Sequence, residues 1–203
     1  MRKLYRQLNL EKQNLAFNIF EQALRGLEKI EPLTKLNPSL ITIIDYSQPT
    51  SSKRLYTIDL KKPKLLFNTW VAVGEGSSGW FGYNFSNEID SNQSSLGFFK
   101  TGGIYNGDTN GLCMVMHGLE EGINDNAKQR HIVMHGADYV SKELIEQDGD
   151  IGFSQGCPAI SRDIAPKLIT TINHKSLIYA HYDDDYLETS QILSESDLKC
   201  QPE

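Results

Sequence analysis

The sequence predicts an α+β fold that is predominantly β, with an N-terminal helix and short peripheral helices. Three observations carry this expectation. Phe17, Phe20, Leu24 and Leu27 recur at helical spacing ahead of Pro32. From residue 40 onward, runs rich in β-branched and aromatic residues alternate with turns rich in Pro, Gly, Ser and Asn. The length, 203 residues, suffices for one substantial core and does not demand a second.

The amphipathic N-terminal helix occupies the first 31 residues and is expected to pack on a single domain spanning 32–203. Strands are expected at 40–46, 54–60 and 65–73, each bounded by Pro, Ser or Lys-rich turns. Residues 74–82 hold four glycines beside Ser77-Ser78 and form a loop. That loop is no phosphate cradle, because the Lys and following Ser/Thr of a P-loop are missing. Further strands are expected at 96–99 and 112–116, with turns at Gly102-Gly103 and Asn106-Gly107. The apolar run 132–134 makes a short buried strand with His135 emerging at its end. Ser141 caps a helix through Gln147 that Asp148-Gly149 stops. Ile164, Leu168 and Ile172 then fall four apart on a helix whose first turn accommodates Pro166, and 176–180 is the last strand. Asp183-Asp184-Asp185 and the polar tail to Glu203 face solvent.

Composition narrows the function. Twenty Lys plus Arg against 26 Asp plus Glu give a net charge of -6, and no basic run exceeds short pairs such as Lys61-Lys62. A nucleic-acid partner, which needs a basic patch, is not expected. No run approaches the roughly 18 apolar residues of a membrane span. Met1-Arg2-Lys3 resembles the start of a signal peptide, but Gln7, Asn9, Glu11, Lys12, Gln13 and Asn14 leave no apolar region behind it. The three cysteines, Cys113, Cys157 and Cys200, cannot all pair within the chain. If one thiol is catalytic, the others either bridge in an oxidising compartment or stay unpaired.

Chemistry concentrates at Ser154-Gln155-Gly156-Cys157-Pro158 and at His135-Gly136. A thiol of ordinary pKa is only a few per cent thiolate at neutral pH, so a nucleophilic cysteine needs an imidazole or another positive influence nearby. His135 supplies one. Gly156 permits a tight turn before the thiol, so that the N–H groups of Gly156 and Cys157 converge on a developing oxyanion. Pro158 lacks an N–H and confines the donors to positions at or before the cysteine. His131 and His135 have the spacing of a helical zinc pair, but Ile132-Val133-Met134 between them favours a strand and no Glu follows His131. No metal and no cofactor are therefore expected. Ser154 is the weaker nucleophile, since Gly-x-Ser-x-Gly is absent.

These residues resemble the YkuD-type L,D-transpeptidases, and more closely the branch called the murein L,D-transpeptidase catalytic domain family. The strand histidine followed by Gly is matched by His135-Gly136, and the Ser-x-Gly-Cys loop by residues 154–157. Gly118-Leu119-Glu120, Asn124-Asp125-Asn126-Ala127, Arg130, Asp138-Tyr139-Val140-Ser141, Phe85-Ser86-Asn87, Ser94-Ser95-Leu96-Gly97 and Pro158-Ala159 are similar to that branch as well. The likeness runs from about Ile41 to Tyr179. Three positions depart from it: Gln155 stands where the wider family has His, Pro158-Ala159 replaces a hydrophobic residue and Arg or Asn, and Val73 stands where His is common.

The resemblance implies a β-sandwich or barrel core and acyl transfer on peptidoglycan stem peptides. His135 takes the proton of Cys157, the thiolate attacks the carbonyl of the third stem residue, D-Ala leaves, and an amine resolves the thioester into a 3-3 cross-link. Water as acceptor makes the same site an L,D-carboxypeptidase. A different cysteine peptidase or amidase, or a catalytically silent wall-binding domain, are the rival readings. Gly136 offers its carbonyl to the other ring nitrogen and Ser154 orders the loop. Tyr139 and Asp138 are candidates for substrate contact or for loop packing, and Gln155 and His117 for lining the cleft. The resemblance also implies action in the periplasm or cell envelope, with a signal peptide removed from this sequence. Val-Met-His-Gly occurs twice, at 115–118 and 133–136. Spacing chooses His135, 22 residues before Cys157, over His117, 40 residues before it.

Overall fold

The structure is a computed structural model, and it describes residues 1–77, 84–182 and 186–194. Its centre is a nine-stranded mixed sheet in the order β3-β2-β1-β9-β5-β6-β7-β8-β4. The strands are β1 (Leu40–Asp45), β2 (Leu55–Asp59), β3 (Lys64–Thr69), β4 (Val71–Ala72), β5 (Gly97–Gly107), β6 (Gly111–Gly118), β7 (Val133–Ala137), β8 (Ala159–Ser161) and β9 (Leu177–His181). β1 runs parallel to β9 and β7 parallel to β8, and the other pairings are antiparallel. Helices are α1 (Arg2–Gln7), α2 (Phe17–Ile30), α3 (Lys142–Asp148), α4 (Ala165–Ile172) and the short α5 (Tyr186–Thr189). None of the described helices is long and apolar enough to cross a membrane.

The expected strand 65–73 is broken in two, and the break explains the architecture. β3 and β4 are the opposite edges of the sheet, yet only Trp70 separates them in sequence. Consecutive Cα atoms are about 3.8 Å apart, so the two edges must lie within a few ångströms of each other where the chain crosses between them. The sheet therefore curls into a nearly closed barrel. Trp70 anchors the crossing by donating its indole N–H to Ser51 O at 2.9 Å. Arg54, wholly buried just before β2, reinforces it by donating from Nε to Val71 O at 3.1 Å while its guanidinium lies over the Tyr46 ring.

Inside, α2 buries Ile19, Phe20, Ala23, Leu24, Leu27 and Ile30, the face its periodicity predicts, in one core with β1, β2, β5, β6, β9 and α4. α3 begins and ends as expected: Ser141 Oγ accepts from Leu144 N–H, and Gly149 adopts φ +80° past the last turn. α4 buries Ala165, Leu168, Ile169 and Ile172. A smaller cluster of Ala72, Ala137, Val140, Ile151 and Ala159 lies under Trp70 and Tyr139.

Four local expectations are corrected. The helix expected over the first 31 residues is two, α1 and α2, separated by a short 3-10 turn at Leu10–Gln13 that left-handed Asn9 and Asn14 flank. Asn106-Gly107 belongs to β5, where it pairs with Leu112 and Gly111 of β6. Gly102-Gly103 is not a turn: β5 continues through it with a register shift between Thr101 and Ile104, a bulge that small residues permit, and the hairpin turns at 108–110. His135 does not emerge from a strand end: it sits inside β7, opposite Cys113 on β6 and Ala159 on β8. The run 132–134 is too short to reveal that hydrogen bonding continues through the polar residue. The expected solvent-facing Asp183-Asp184-Asp185, the tail beyond 194 and most of the glycine loop lie outside the described residues.

Gly26 illustrates how packing overrides local propensity. A Cβ there would lie 2.0 Å from Cζ of Phe98, which is fully buried and stacked on Tyr179 at 4.5 Å between centroids. Helix propensity alone favours Gly26→Ala by about 1 kcal/mol, whereas overpacking a closed core costs about 1–3 kcal/mol. Gly26→Ala is therefore expected to lower the urea midpoint, and a raised midpoint would show that α2 shifts freely on the sheet.

Candidate active site

Cys157 follows a turn held on several sides. Gly156 adopts φ +107°, and a side chain there would collide with Gln93 O at 2.8 Å, so the position requires glycine for both conformation and space. Ser154 bridges in parallel to Gly74, donating its N–H to Val73 O at 3.0 Å, while Glu75 N–H donates to Ser154 O at 2.7 Å. The Ser154 hydroxyl donates to Cys157 O at 2.6 Å and accepts from Gly156 N–H at 3.2 Å. Ser94, on the facing segment, donates from Oγ to Gly156 O at 3.0 Å.

The thiol lies against the start of β7. Cys157 Sγ accepts from Val133 N–H at 3.4 Å and contacts His131 O at 3.8 Å. His135 stands two residues further along the strand than Val133. Its Nδ1 lies 3.1 Å from Gly136 O, which makes Nδ1 the protonated nitrogen and leaves Nε2 with its lone pair. No hydrogen bond joins thiol and imidazole in this conformation, consistent with catalytic contacts that tighten only when substrate is bound.

Both groups are neutral at rest. Burial pushes the Cys157 thiol up, with the nearby Cys113 adding to the rise, while Val133 N–H and the Arg130 guanidinium oppose it. Burial pushes His135 down, the Gly136 carbonyl opposes, and the Arg162 charge adds to the fall.

The other expected positions divide. Gln155 is exposed and lines a cavity of about 300 Å³ with Cys157, Arg130, His131 and Asn92. Tyr139 is half-buried beside the site, and its phenol is pushed up to about 12 by burial and then by the Cys157 charge. Asp138 is held by Arg162, with Nε–Oδ1 at 2.5 Å and Nη2–Oδ2 at 2.9 Å. His117 packs against Gly102, and burial, Lys100 and Lys128 lower its pKa. The structure brings Cys157, Ser154, Gly156, His135, Gly136, Tyr139 and Gln155 together; Asp138 and His117 make their contacts elsewhere.

Sequence reasoning missed Cys113, buried opposite His135, and the work of Arg130 and Ser94. Arg130 donates from Nη1 to Ser86 O (2.7 Å) and Ser95 Oγ (2.6 Å), and from Nη2 to Ser91 Oγ (3.2 Å) and Gln93 O (2.5 Å). The motif pieces around Ser86 and Ser94 were visible, but only the fold shows that they meet at the cysteine turn.

A family model of the L,D-transpeptidase catalytic domain matches residues 11–181, a span that contains the whole of this site. The chain belongs to the L,D-transpeptidase catalytic domain family. No curated protein matches it. Among solved structures it is similar to an L,D-transpeptidase from Mycobacterium smegmatis, at 10% identity and TM-score 0.43, covering 71% of this chain and 59% of that one. It is similar also to the helical cell shape determining protein Pgp2 from Campylobacter jejuni, at 14% identity and TM-score 0.45, covering 80% and 57%. L,D-transpeptidase 1 of Mycobacterium tuberculosis matches at 11% identity and TM-score 0.41, covering 71% and 62%. The match thus spans less than two thirds of each of these solved chains.

For this L,D-transpeptidase-family domain the electrostatics fix the sign of a pH test. A thiol titrating above the ordinary 9.0 is alkylated about tenfold faster for each pH unit gained below its pKa. Iodoacetamide labelling mapped to Cys157 is expected to climb continuously from pH 7 to pH 9. A plateau beginning below pH 7, the mark of a preformed thiolate–imidazolium pair, would refute the neutral resting state.

Proposed function

We propose that this domain performs cysteine-dependent acyl transfer on peptidoglycan stem peptides, releasing D-Ala from a tetrapeptide and forming 3-3 cross-links outside the cytoplasm. The observation that carries the reading is the Nδ1 contact of His135 with Gly136 O, two residues along β7 from the N–H that touches Cys157 Sγ. It leaves Nε2 with its lone pair, able to act as base toward a thiol that touches the same strand.

Rotation of the Cys157 side chain from the His131 carbonyl toward His135 lets Nε2 take the thiol proton. Sγ then bonds to the carbonyl carbon of the third stem residue, and Cys157 N–H, which has no acceptor among the described residues, donates to the oxyanion. Gly156 N–H is engaged by Ser154 Oγ, so one main-chain donor rather than two serves the hole from this turn. As the intermediate collapses, the imidazolium returns its proton to the departing D-Ala amine and a thioester remains. An amine of a second stem resolves it with the same base, and water in place of the amine gives D-Ala release alone. Tyr139 and Gln155 flank the cleft and contact substrate, while Asp138, paired with Arg162, packs the loop.

Incubation with a defined tetrapeptide muropeptide, read by mass spectrometry, is expected to yield free D-Ala and a cross-linked dimer. Tripeptide without dimer would make the enzyme a carboxypeptidase, and unchanged substrate would sink the assignment. The two histidines provide a sharper check on roles. His135→Ala is expected to slow acylation of Cys157 by a carbapenem on the order of a hundredfold or more, as loss of a general base does, with His117→Ala near the parent rate. Stopped-flow traces of folded variants showing the reverse order would transfer the base role to His117.

A further inference from the structure

Resting on the acyl-transfer reading, the geometry points to Ser94 as the positioning residue of the oxyanion donor: its buried hydroxyl holds the Gly156–Cys157 peptide in the one orientation that aims Cys157 N–H at the reacting carbonyl. Ser94 is 1% exposed. A hydroxyl offers one proton and two lone pairs. The proton goes to Gly156 O at 3.0 Å, and Gly74 N–H fills one lone pair at 3.0 Å. The hydroxyl direction is therefore fixed by its partners, and Ser77 Oγ, accepting from Ser94 N–H at 2.9 Å, fixes the backbone that carries it.

The consequence runs through one peptide plane. In a trans peptide the C=O and the following N–H point in opposite directions, and no cis bond occurs among the described residues. With Gly156 O held inward by Ser94, Cys157 N–H faces outward. The bonds of Ser154 do not substitute for this, because they hold the peptides on either side: Gly156 N–H belongs to the preceding plane and Cys157 O to the following one. Gly156 is the residue least able to resist rotation of that plane, since the plane turns on its ψ and glycine, with no Cβ, restricts that angle least. A rotated plane would present Gly156 O to the cleft and set a carbonyl dipole against the developing negative charge.

Two reactions of Cys157 separate this role from a merely structural one. Acylation by a carbapenem forms an Sγ–C bond, breaks the lactam C–N bond and passes the thiol proton to the lactam nitrogen, through an oxyanion. Alkylation by iodoacetamide forms an Sγ–C bond at a saturated carbon and expels iodide, with no oxyanion. Ser94→Ala is expected to slow acylation about 10- to 100-fold, short of the about 10²–10³ that loss of a donor itself costs. Alkylation mapped to Cys157 should stay within about twofold, because the surroundings of the thiolate are unchanged. If Ser94→Ala does not fold, Ser94→Thr and Ser94→Val carry the same test, being equal in shape and differing in the hydroxyl, with Thr the faster in acylation. Acylation at the parent rate in Ala or Val, or parallel loss of acylation and alkylation, would overturn the role of Ser94. A parent protein that is alkylated at Cys157 yet never acylated would instead overturn the acyl-transfer reading on which it rests.

Discussion

The sheet closes through a single residue, and the position of the Cys157 turn follows from that constraint. Because only Trp70 separates the two edge strands, β4 must turn back beside β8, and the chain leaving β4 runs directly into Val73, Gly74 and Glu75. Those residues hydrogen-bond Ser154 on both sides and bring Gly74 against Gly156 so closely that a Cβ on Gly74 would fall 2.9 Å from the Gly156 Cα. The cysteine turn is thus clamped by the barrel seam as well as by the Ser154 hydroxyl of its own loop. Arg54, buried with no carboxylate in hydrogen-bond contact among the described residues, sits at the same seam, where burial lowers its pKa to about 10. A buried cation is costly, and carbonyl acceptors with the Tyr46 ring offset part of the cost.

Placing the turn in the protein interior has an electrostatic consequence. Burial disfavours both the thiolate and the imidazolium, so the resting pair keeps its proton on sulfur. The main-chain donor at Val133 and the Arg130 charge soften that penalty without cancelling it. Arg130 acts at a distance because its four terminal N–H groups are spent on the 86–95 segment. One side chain therefore shapes the wall of the cleft and supplies a positive field beside Sγ, and its donors go to serine and carbonyl oxygens, with no hydrogen-bonded carboxylate among the described residues.

What the sequence made legible follows from how local each cause is. Helical periodicity placed α2 and α4, and the Ser141 cap and Gly149 stop placed α3, because each depends on residues within one or two turns. The strands other than β8, whose three residues follow the cysteine turn without a pattern of their own, were found but not their ends: the break at Trp70 and the bulge at Gly102-Gly103 are set by partners far away in sequence. His135 looked like a strand terminus because the apolar run stops at Met134. Its backbone nonetheless pairs on both sides, since the β6 and β8 neighbours are invisible to local pattern.

The candidate site divides along the same line. Cysteine, histidine and the glycine turn carry their chemistry in their own side chains, and a resemblance of motifs finds them. Ser94 and Arg130 matter through the backbone atoms they hold, and only the three-dimensional register tells which atoms those are. Gly156 shows the limit most directly. Read alone, it promises two converging N–H donors, yet Ser154 Oγ takes one of them and Ser94 sets the direction of the other. A turn that is conformationally free by composition is made specific by two hydroxyls, one from its own loop and one from across the seam. The geometry of this turn is therefore a property of the barrel closure as much as of the Ser154–Cys157 motif.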